Sequence, residues 1–237
     1  MSYNEALFLE NAAGLGLTVT ADALNRFAVF SDLLCEKNKV MNLTAITDAN
    51  GVSLGHFADS ISLLAAADIP DGSRVIDVGT GAGFPGVPLL IMNPSLRLTL
   101  LDSTRKKLDF ISESLASLNL SAELLHSRAE ESGRDKAYRE SFDFAVSRAV
   151  AGLNVLCEYC LPFVKTGGCF LAMKGPGAQD EIKEAYTALK TLGGEVEKSV
   201  PVSLTDGHIR NIAVIRKIKE TPDKYPRASA QIAKKPL

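Results

Sequence analysis

The chain has 237 residues, 46% of them hydrophobic and 23% charged, with a formal charge of −2. These values are ordinary for a globular protein able to bury a substantial core, and the net charge does not mark a nucleic-acid binder. No apolar run approaches the roughly 20 residues that span a bilayer, which excludes a membrane-spanning helix, and the N-terminus M-S-Y-N-E lacks a basic region followed by an apolar one. A cytoplasmic monomer with no membrane partner is expected, with Cys35, Cys157, Cys160 and Cys169 as reduced thiols.

Residues 1–70 show no strand alternation and are expected to form a helical cap. Thr20 precedes a face built on Leu24, Phe27, Ser31 and Leu34, with Phe30 beside them, so it is the expected N-cap of that helix. Another helix is expected from Ser53 to Ala67, with Phe57, Ile61 and Leu64 on one side. His56 and Asp59 lie three apart on it and either face one ligand or form an exposed pair. Between the two helices, K-V-M-N-L-T-A-I-T reads as a turn whose Asn42 and Thr44 are polar loop residues. Pro70-Asp71-Gly72 then marks the entry to a core domain, residues 71–218, leaving 219–237 as a basic tail.

The core opens with R-V-I-D-V-G-T-G-A-G-F-P-G, residues 74–86. An apolar strand breaks into three alternating glycines, Gly79, Gly81 and Gly83, the pattern of a parallel strand passing to a helix through a loop that a ligand approaches closely. A dinucleotide fingerprint requires a third small residue, and that position is Phe84, followed by Pro85. Asp77, two residues before the first glycine, suits a cationic ligand better than a diphosphate. S-adenosylmethionine, which carries a sulfonium and an ammonium and no phosphate, is the expected cofactor. The next strand, Leu96 to Leu101, ends in Asp102, where a carboxylate can grip ribose hydroxyls.

After a helix from Ser103, strands are expected at 122–125, 142–147 and 169–173, with helices near 153–161 and 180–192. Two final strands, 196–204 and 209–217, are joined by T-D-G-H with Asp-Gly as the turn. The expected fold is α/β: a class I S-adenosylmethionine-dependent methyltransferase, Rossmann-like, its mostly parallel doubly wound sheet ending in an antiparallel hairpin, with an N-terminal helical cap. Cys157 and Cys160 form C-x-x-C inside an apolar stretch with no second such pair, so buried inert thiols are expected and no metal site.

Ligands in such a sheet lie beyond the carboxyl ends of the strands. The rule selects Gly79 to Phe84, Asp102, Ala129 and Glu130, Arg148, and Lys174 with Gly175. Glu130 is placed to accept from an adenine amino group, and Arg148, flanked by apolar residues, must meet an anion or a structural partner. From Arg216 onward there are seven basic residues against two acidic ones, which hints at phosphate contacts or a merely solvated tail. No N-P-P-Y tetrapeptide follows the fourth strand and no cysteine neighbours a proline, which leaves methyl transfer to an intrinsically nucleophilic atom. A small-molecule methyltransferase and a cofactor-binding module without catalysis remain rival readings.

Several motifs together resemble the RsmG (GidB) family: N-L-T-A-I at 42–46, H-F-A-D-S at 56–60, D-V-G-T-G-A-G-F-P-G at 77–86, S-R-A at 147–149, K-G at 174–175 and H-I-R-N-I-A-V-I-R-K at 208–217. The resemblance implies methylation of guanine N7 in 16S ribosomal RNA, with the rRNA or the small ribosomal subunit particle as partner. It implies cofactor contacts at Gly79, Phe84, Asp102, Ala129, Glu130 and Arg148, to which the reading of the glycine loop adds Asp77, Gly81 and Gly83. Substrate contacts are expected at Asn42, His56, Asp59, Arg148, Lys174, His208, Arg210, Arg227, Lys234 and Lys235. No catalytic acid or base is expected, with His56 and His208 as positioning groups only. Gly55 and Ala228 stand where the family usually carries basic residues.

Overall fold

The computed structural model describes residues 2–148 and 151–237; Ala149 of the S-R-A motif and Val150 lie outside the described residues. The N-terminal part holds α1 (Glu5–Gly14), α2 (Ala21–Met41) and α3 (Ala49–Gly51), which runs through a π-helical turn (Val52–Ala58) into α4 (Asp59–Ala66). The core follows as β1 (Arg74–Val78), α5 (Gly86–Met92), β2 (Arg97–Asp102), α6 (Arg105–Ser117), β3 (Glu123–His126), α7 (Ala129–Ser132), β4 (Phe142–Arg148) and α8 (Leu153–Cys160). It closes with β5 (Val164–Lys174), α9 (Ala178–Glu184), α10 (Tyr186–Leu192), β6 (Gly194–Ser203), β7 (Ile209–Lys217) and α11 (Ser229–Lys234).

The seven strands are ordered β3-β2-β1-β4-β5-β7-β6. All pairs are parallel up to β5, while β7 is antiparallel to both β5 and β6, the hairpin expected from T-D-G-H. Strand order reverses between β1 and β4, so a crevice opens at their carboxyl ends, beside the glycine loop.

Strand alternation sends Val75, Leu98, Leu100, Val146 and Leu171 to one face and Ile76, Val78, Leu101, Ala145 and Phe170 to the other. The first face shares a continuous apolar core with the N-terminal helices, in which Tyr3, Phe8, Phe27 and Phe57 pack edge-on or tilted and Phe30 stacks on Phe57. Each such ring contributes on the order of 1.5–3 kcal/mol by its burial. The cap is therefore a layer laid on the sheet. Thr20 caps α2 by accepting from Ala23 N–H at 3.2 Å. The helix expected from Ser53 begins instead with a π turn, and the one expected over 180–192 divides at Ala185 with no glycine or proline to account for the break.

The tail is ordered against the other face. Tyr225 joins that core and Ile232 is fully buried, so 219–237 is a docked segment and not a free arm.

Candidate functional site

Gly79, Gly81 and Gly83 all have positive φ (77°, 62° and 97°), a conformation that residues with a Cβ rarely adopt. Gly79 and Thr80 donate their N–H groups to Leu101 O, and Gly81 donates to Asp102 Oδ2 at 3.0 Å. Asp102 Oδ1 accepts from Thr104 N–H at 2.8 Å, so both carboxylate oxygens are fixed by backbone while each retains a further lone pair. The small residue that lets helix meet strand is Gly86 and not position 84: a Cβ there would collide with Leu100 and lie 2.8 Å from Asp77 Oδ2.

Asp77 is wholly buried at the end of β1. Its Oδ2 accepts from Thr80 Oγ1 at 2.7 Å and Gly86 N–H at 2.8 Å, whereas Oδ1 has no partner. Burial raises its pKa to about 6, against the opposing pull of Thr80, Gly86 and Arg148. Its Oδ1 is thus a buried acceptor left unsatisfied within the protein.

Two cavities hold the expected residues, of which the smaller is lined by Gly79 of this loop. The smaller, about 350 Å³, is lined by Gly79, Asp102, Arg128, Glu130, Leu156 and Tyr159 among others. Arg128 Nε donates to Glu130 Oε1 at 2.9 Å, so one oxygen of Glu130 is already engaged. The larger cavity, about 640 Å³, is lined by His56, Asp59, Arg148, Lys174, Glu181 and Arg210 together with Met173 and Ile46. Five residues expected at the substrate therefore converge in one place.

Arg148 ends β4 and reaches into the π turn. Its Nη1 donates to Gly55 O at 2.7 Å and Asp59 Oδ2 at 3.0 Å, and its Nη2 lies 3.2 Å from His56 Nδ1. A guanidinium can only donate, so Nδ1 accepts and Nε2 carries the proton, which goes to Thr44 Oγ1 at 2.8 Å. Burial, reinforced by Arg148, pushes the His56 pKa down to about 3. His56 is thus a neutral imidazole with both nitrogens occupied. Asp59 Oδ1 meets Arg210 Nε at 3.1 Å, and Arg210 in turn pairs with Asp206 at 2.6 Å. Lys174 pairs with Glu181 at 2.8 Å, and Glu181 also accepts from Leu153 N–H. Arg148 therefore meets structural partners and a ligand cavity at once.

The remaining expected residues are placed elsewhere. Phe84 turns its ring into the cap, stacked on His56 at 4.4 Å and tilted against Phe30. Asn42 is the left-handed C-cap of α2 (φ 49°) and lines a separate cavity of about 440 Å³. His208 is exposed on the β6–β7 turn. The uniformly basic C-terminus is corrected: Lys217 is fully buried against Leu161 O, Thr221 and Glu140, Arg216 pairs with Glu197, and Arg227 forks onto buried Glu158. Arg227 is spent internally, leaving Lys219, Lys224, Lys234 and Lys235 exposed. Cys157 and Cys160 are fully buried, which pushes both thiols up.

Sequence reasoning missed Asn38, Arg128, Tyr159, Glu181 and Asp206. Asn38 clamps the backbone of Thr44, donating to its carbonyl and accepting from its N–H, both at 2.9 Å. The signal available was Asp206 four residues before Arg210; nothing local marks the others. Gly55 serves through its carbonyl, and a Cβ on it would lie 2.9 Å from Ile46. Among the described residues no three metal-ligating side chains come together, and no helix is long and apolar enough to cross a membrane.

The strand order, the switch-point loop and the two acids at the ends of β1 and β2 define a class I S-adenosylmethionine-dependent methyltransferase fold. Solved structures share it: TrmN from Thermus thermophilus (TM-score 0.53, 20% identity, 67% of this chain and 48% of that one). Geranyl diphosphate C-methyltransferase from Streptomyces coelicolor gives a TM-score of 0.54 at 12% identity, over 68% of this chain and 79% of that one. A family model described as rRNA small subunit methyltransferase G matches residues 23–212. Proteins named ribosomal RNA small subunit methyltransferase G are similar over most of the length: 48% identical in Alkaliphilus oremlandii (96% of each chain) and 47% in Acetivibrio thermocellus (98% of this chain, 96% of that one). The chain belongs to the rRNA small subunit methyltransferase G family.

Proposed function

We propose that this chain transfers the methyl group of S-adenosylmethionine to N7 of a guanosine in 16S rRNA, in the cytoplasm and as a monomer. One observation carries the choice of target atom: among the described residues lining the larger cavity, the imidazole and both carboxylates are each already paired with a donor. His56 has both nitrogens engaged, Asp59 lies between two guanidinium groups, and Glu181 is held by Lys174 and a backbone N–H. Guanine N7 has an in-plane lone pair that is unprotonated near neutral pH, so no proton need be removed before it attacks. Catalysis then comes mainly from alignment.

The residues present fit the cofactor. Asp102 would hold the ribose hydroxyls, Ala129 and Glu130 would face the adenine, and Asp77 would answer the ammonium through Oδ1, the one oxygen with no partner. Bound there, S-adenosylmethionine supplies a methyl carbon on a sulfonium that is its own leaving group. Arg148 joins the cap to the crevice and, with Lys174 and Arg210, offers donors that orient the guanine in the larger cavity.

Single-turnover methyl transfer, with cofactor saturating and rRNA bound, should be independent of pH from about 6 to 9, because His56 at about 3 titrates below this range and nothing else must lose a proton. A tenfold rise per pH unit that disappears on replacing one histidine or carboxylate would contradict the proposal.

A further inference from the structure

Residues 219–237 lie across α7 and α8, the two helices that supply Ala129, Glu130, Leu156 and Tyr159 to the smaller cavity. Glu158 is wholly buried in α8 between two of those lining residues. Every hydrogen bond recorded to its carboxylate comes from Arg227: backbone N–H at 2.8 Å and Nε at 2.9 Å to Oε1, and Nη2 at 2.6 Å to Oε2. The guanidinium fork fixes the orientation of its partner as well as the charge, so it ties α8 to the C-terminal segment beside the core packing of Leu153, Leu156, Cys157 and Cys160. Arg227 Nη1 also donates to Lys235 O at 3.1 Å, closing the segment on itself.

Further contacts bind the segment to α7. Arg134 donates to Pro226 O at 2.7 Å and to Lys224 O at 3.1 Å, and a Cβ on Gly133 would lie 3.2 Å from the Pro226 ring. Ser229 Oγ lies 3.3 Å from Arg128 Nη2 and 3.4 Å from Tyr159 Oη. A hydroxyl both accepts and donates, so Ser229 can link these two cavity residues, and Arg128 in turn holds Glu130.

We infer that the C-terminal segment braces the wall of the adenosine subsite from behind, with Arg227 and Ser229 as positioning residues that place Glu130, Leu156 and Tyr159 and so set cofactor affinity. The inference rests on reading the smaller cavity as that subsite. It assigns the segment to the nucleoside end of the cofactor, where its residue composition alone suggests an RNA arm.

The test compares Ser229→Ala, Ser229→Thr and the paired Arg227→Gln/Glu158→Gln variant with wild type; the paired variant leaves no uncompensated buried charge and so keeps the fold. Calorimetry measures adenosine and S-adenosylhomocysteine binding, and RNA affinity is followed against salt. Ser229→Ala should weaken both nucleosides about threefold and the paired variant about tenfold, the loss of one and of several hydrogen bonds. Ser229→Thr should restore affinity, KM for S-adenosylmethionine should rise with kcat unchanged, and the salt slope of RNA binding should stay as in wild type. Unchanged nucleoside affinity in Ser229→Ala and the paired variant overturns the inference, as does a loss confined to RNA, which would show as a flatter slope of about 0.7 per phosphate contact removed. Wild type binding S-adenosylhomocysteine but none of these changes separates that failure from the other one: a wild type that binds no adenosine compound overturns the cofactor reading and this inference with it.

Discussion

Asp102→Ala should weaken S-adenosylmethionine binding by about 1.5–3 kcal/mol, roughly ten- to a hundredfold, the worth of hydrogen bonds to a charged acceptor. The carboxylate is held in place before any ligand arrives: Gly81 N–H fixes Oδ2, Thr104 N–H fixes Oδ1, and Lys107 stands 3.8 Å away. Little side-chain entropy is then lost on binding, so the full strength of the bonds to ribose is available. Removing the side chain also strips Gly81 N–H of its acceptor in the loop itself. Calorimetry of the folded variant checks this, and an unchanged affinity would remove Asp102 from the site.

Asp77→Asn should move stability and cofactor affinity in opposite directions. The folded-state pKa of about 6 lies above the ordinary value of 3.8, so the fold favours the protonated carboxyl. The native state therefore binds more protons than the unfolded chain between these values, and stability falls as pH rises from about 4 to 6 and stays low above. At about 1.4 kcal/mol per pKa unit, the ionised Asp77 costs the fold up to roughly 3 kcal/mol at neutral pH. Asparagine can keep the bonds from Thr80 and Gly86 through its carbonyl oxygen, without the buried charge. Thermal unfolding at pH 7 should occur at a higher temperature for Asp77→Asn, with the difference vanishing below about pH 4.

Cofactor affinity should show the opposite effect. If the ammonium meets ionised Asp77, wild-type affinity falls by up to tenfold per unit as pH drops below about 6, and the asparagine variant binds weakly with no such slope. A variant that is less stable, or that binds S-adenosylmethionine as tightly as wild type, would contradict this assignment. A group kept at a cost to the fold is what a binding site demands.

The sheet and its loop were legible because their signals are local. Three alternating glycines after an apolar strand, an acid on either side of the crevice, and Asp-Gly between two final strands each sit within a few residues of what they determine. His56 and Asp59 were legible as a pair three apart, although the π turn that points them at Arg148 carries no mark in the sequence. What could not be read is long-range. Arg227 and Glu158 are 69 positions apart, and the meaning of a lone carboxylate in L-N-V-L-C-E-Y-C appears only when its partner folds over it. The charge count near the C-terminus misled for the same reason, since it cannot distinguish exposed Lys234 and Lys235 from Lys217, which is buried with three oxygen partners. That the Phe84 ring joins an aromatic core assembled from the cap was equally illegible, since His56 and Phe30 come from distant helices.

The most direct measurement is the chemical identity of the methylated product. The purified protein would be incubated with isotope-labelled S-adenosylmethionine and unmethylated 16S rRNA, both naked and assembled in the small subunit, and in parallel with a pool of small metabolites. Nuclease digestion and mass spectrometry then locate the label. The account predicts 7-methylguanosine at a single position of 16S rRNA in at least one of the two RNA forms. Label on an exocyclic amine, on a pyrimidine carbon, or only in the metabolite pool would contradict it.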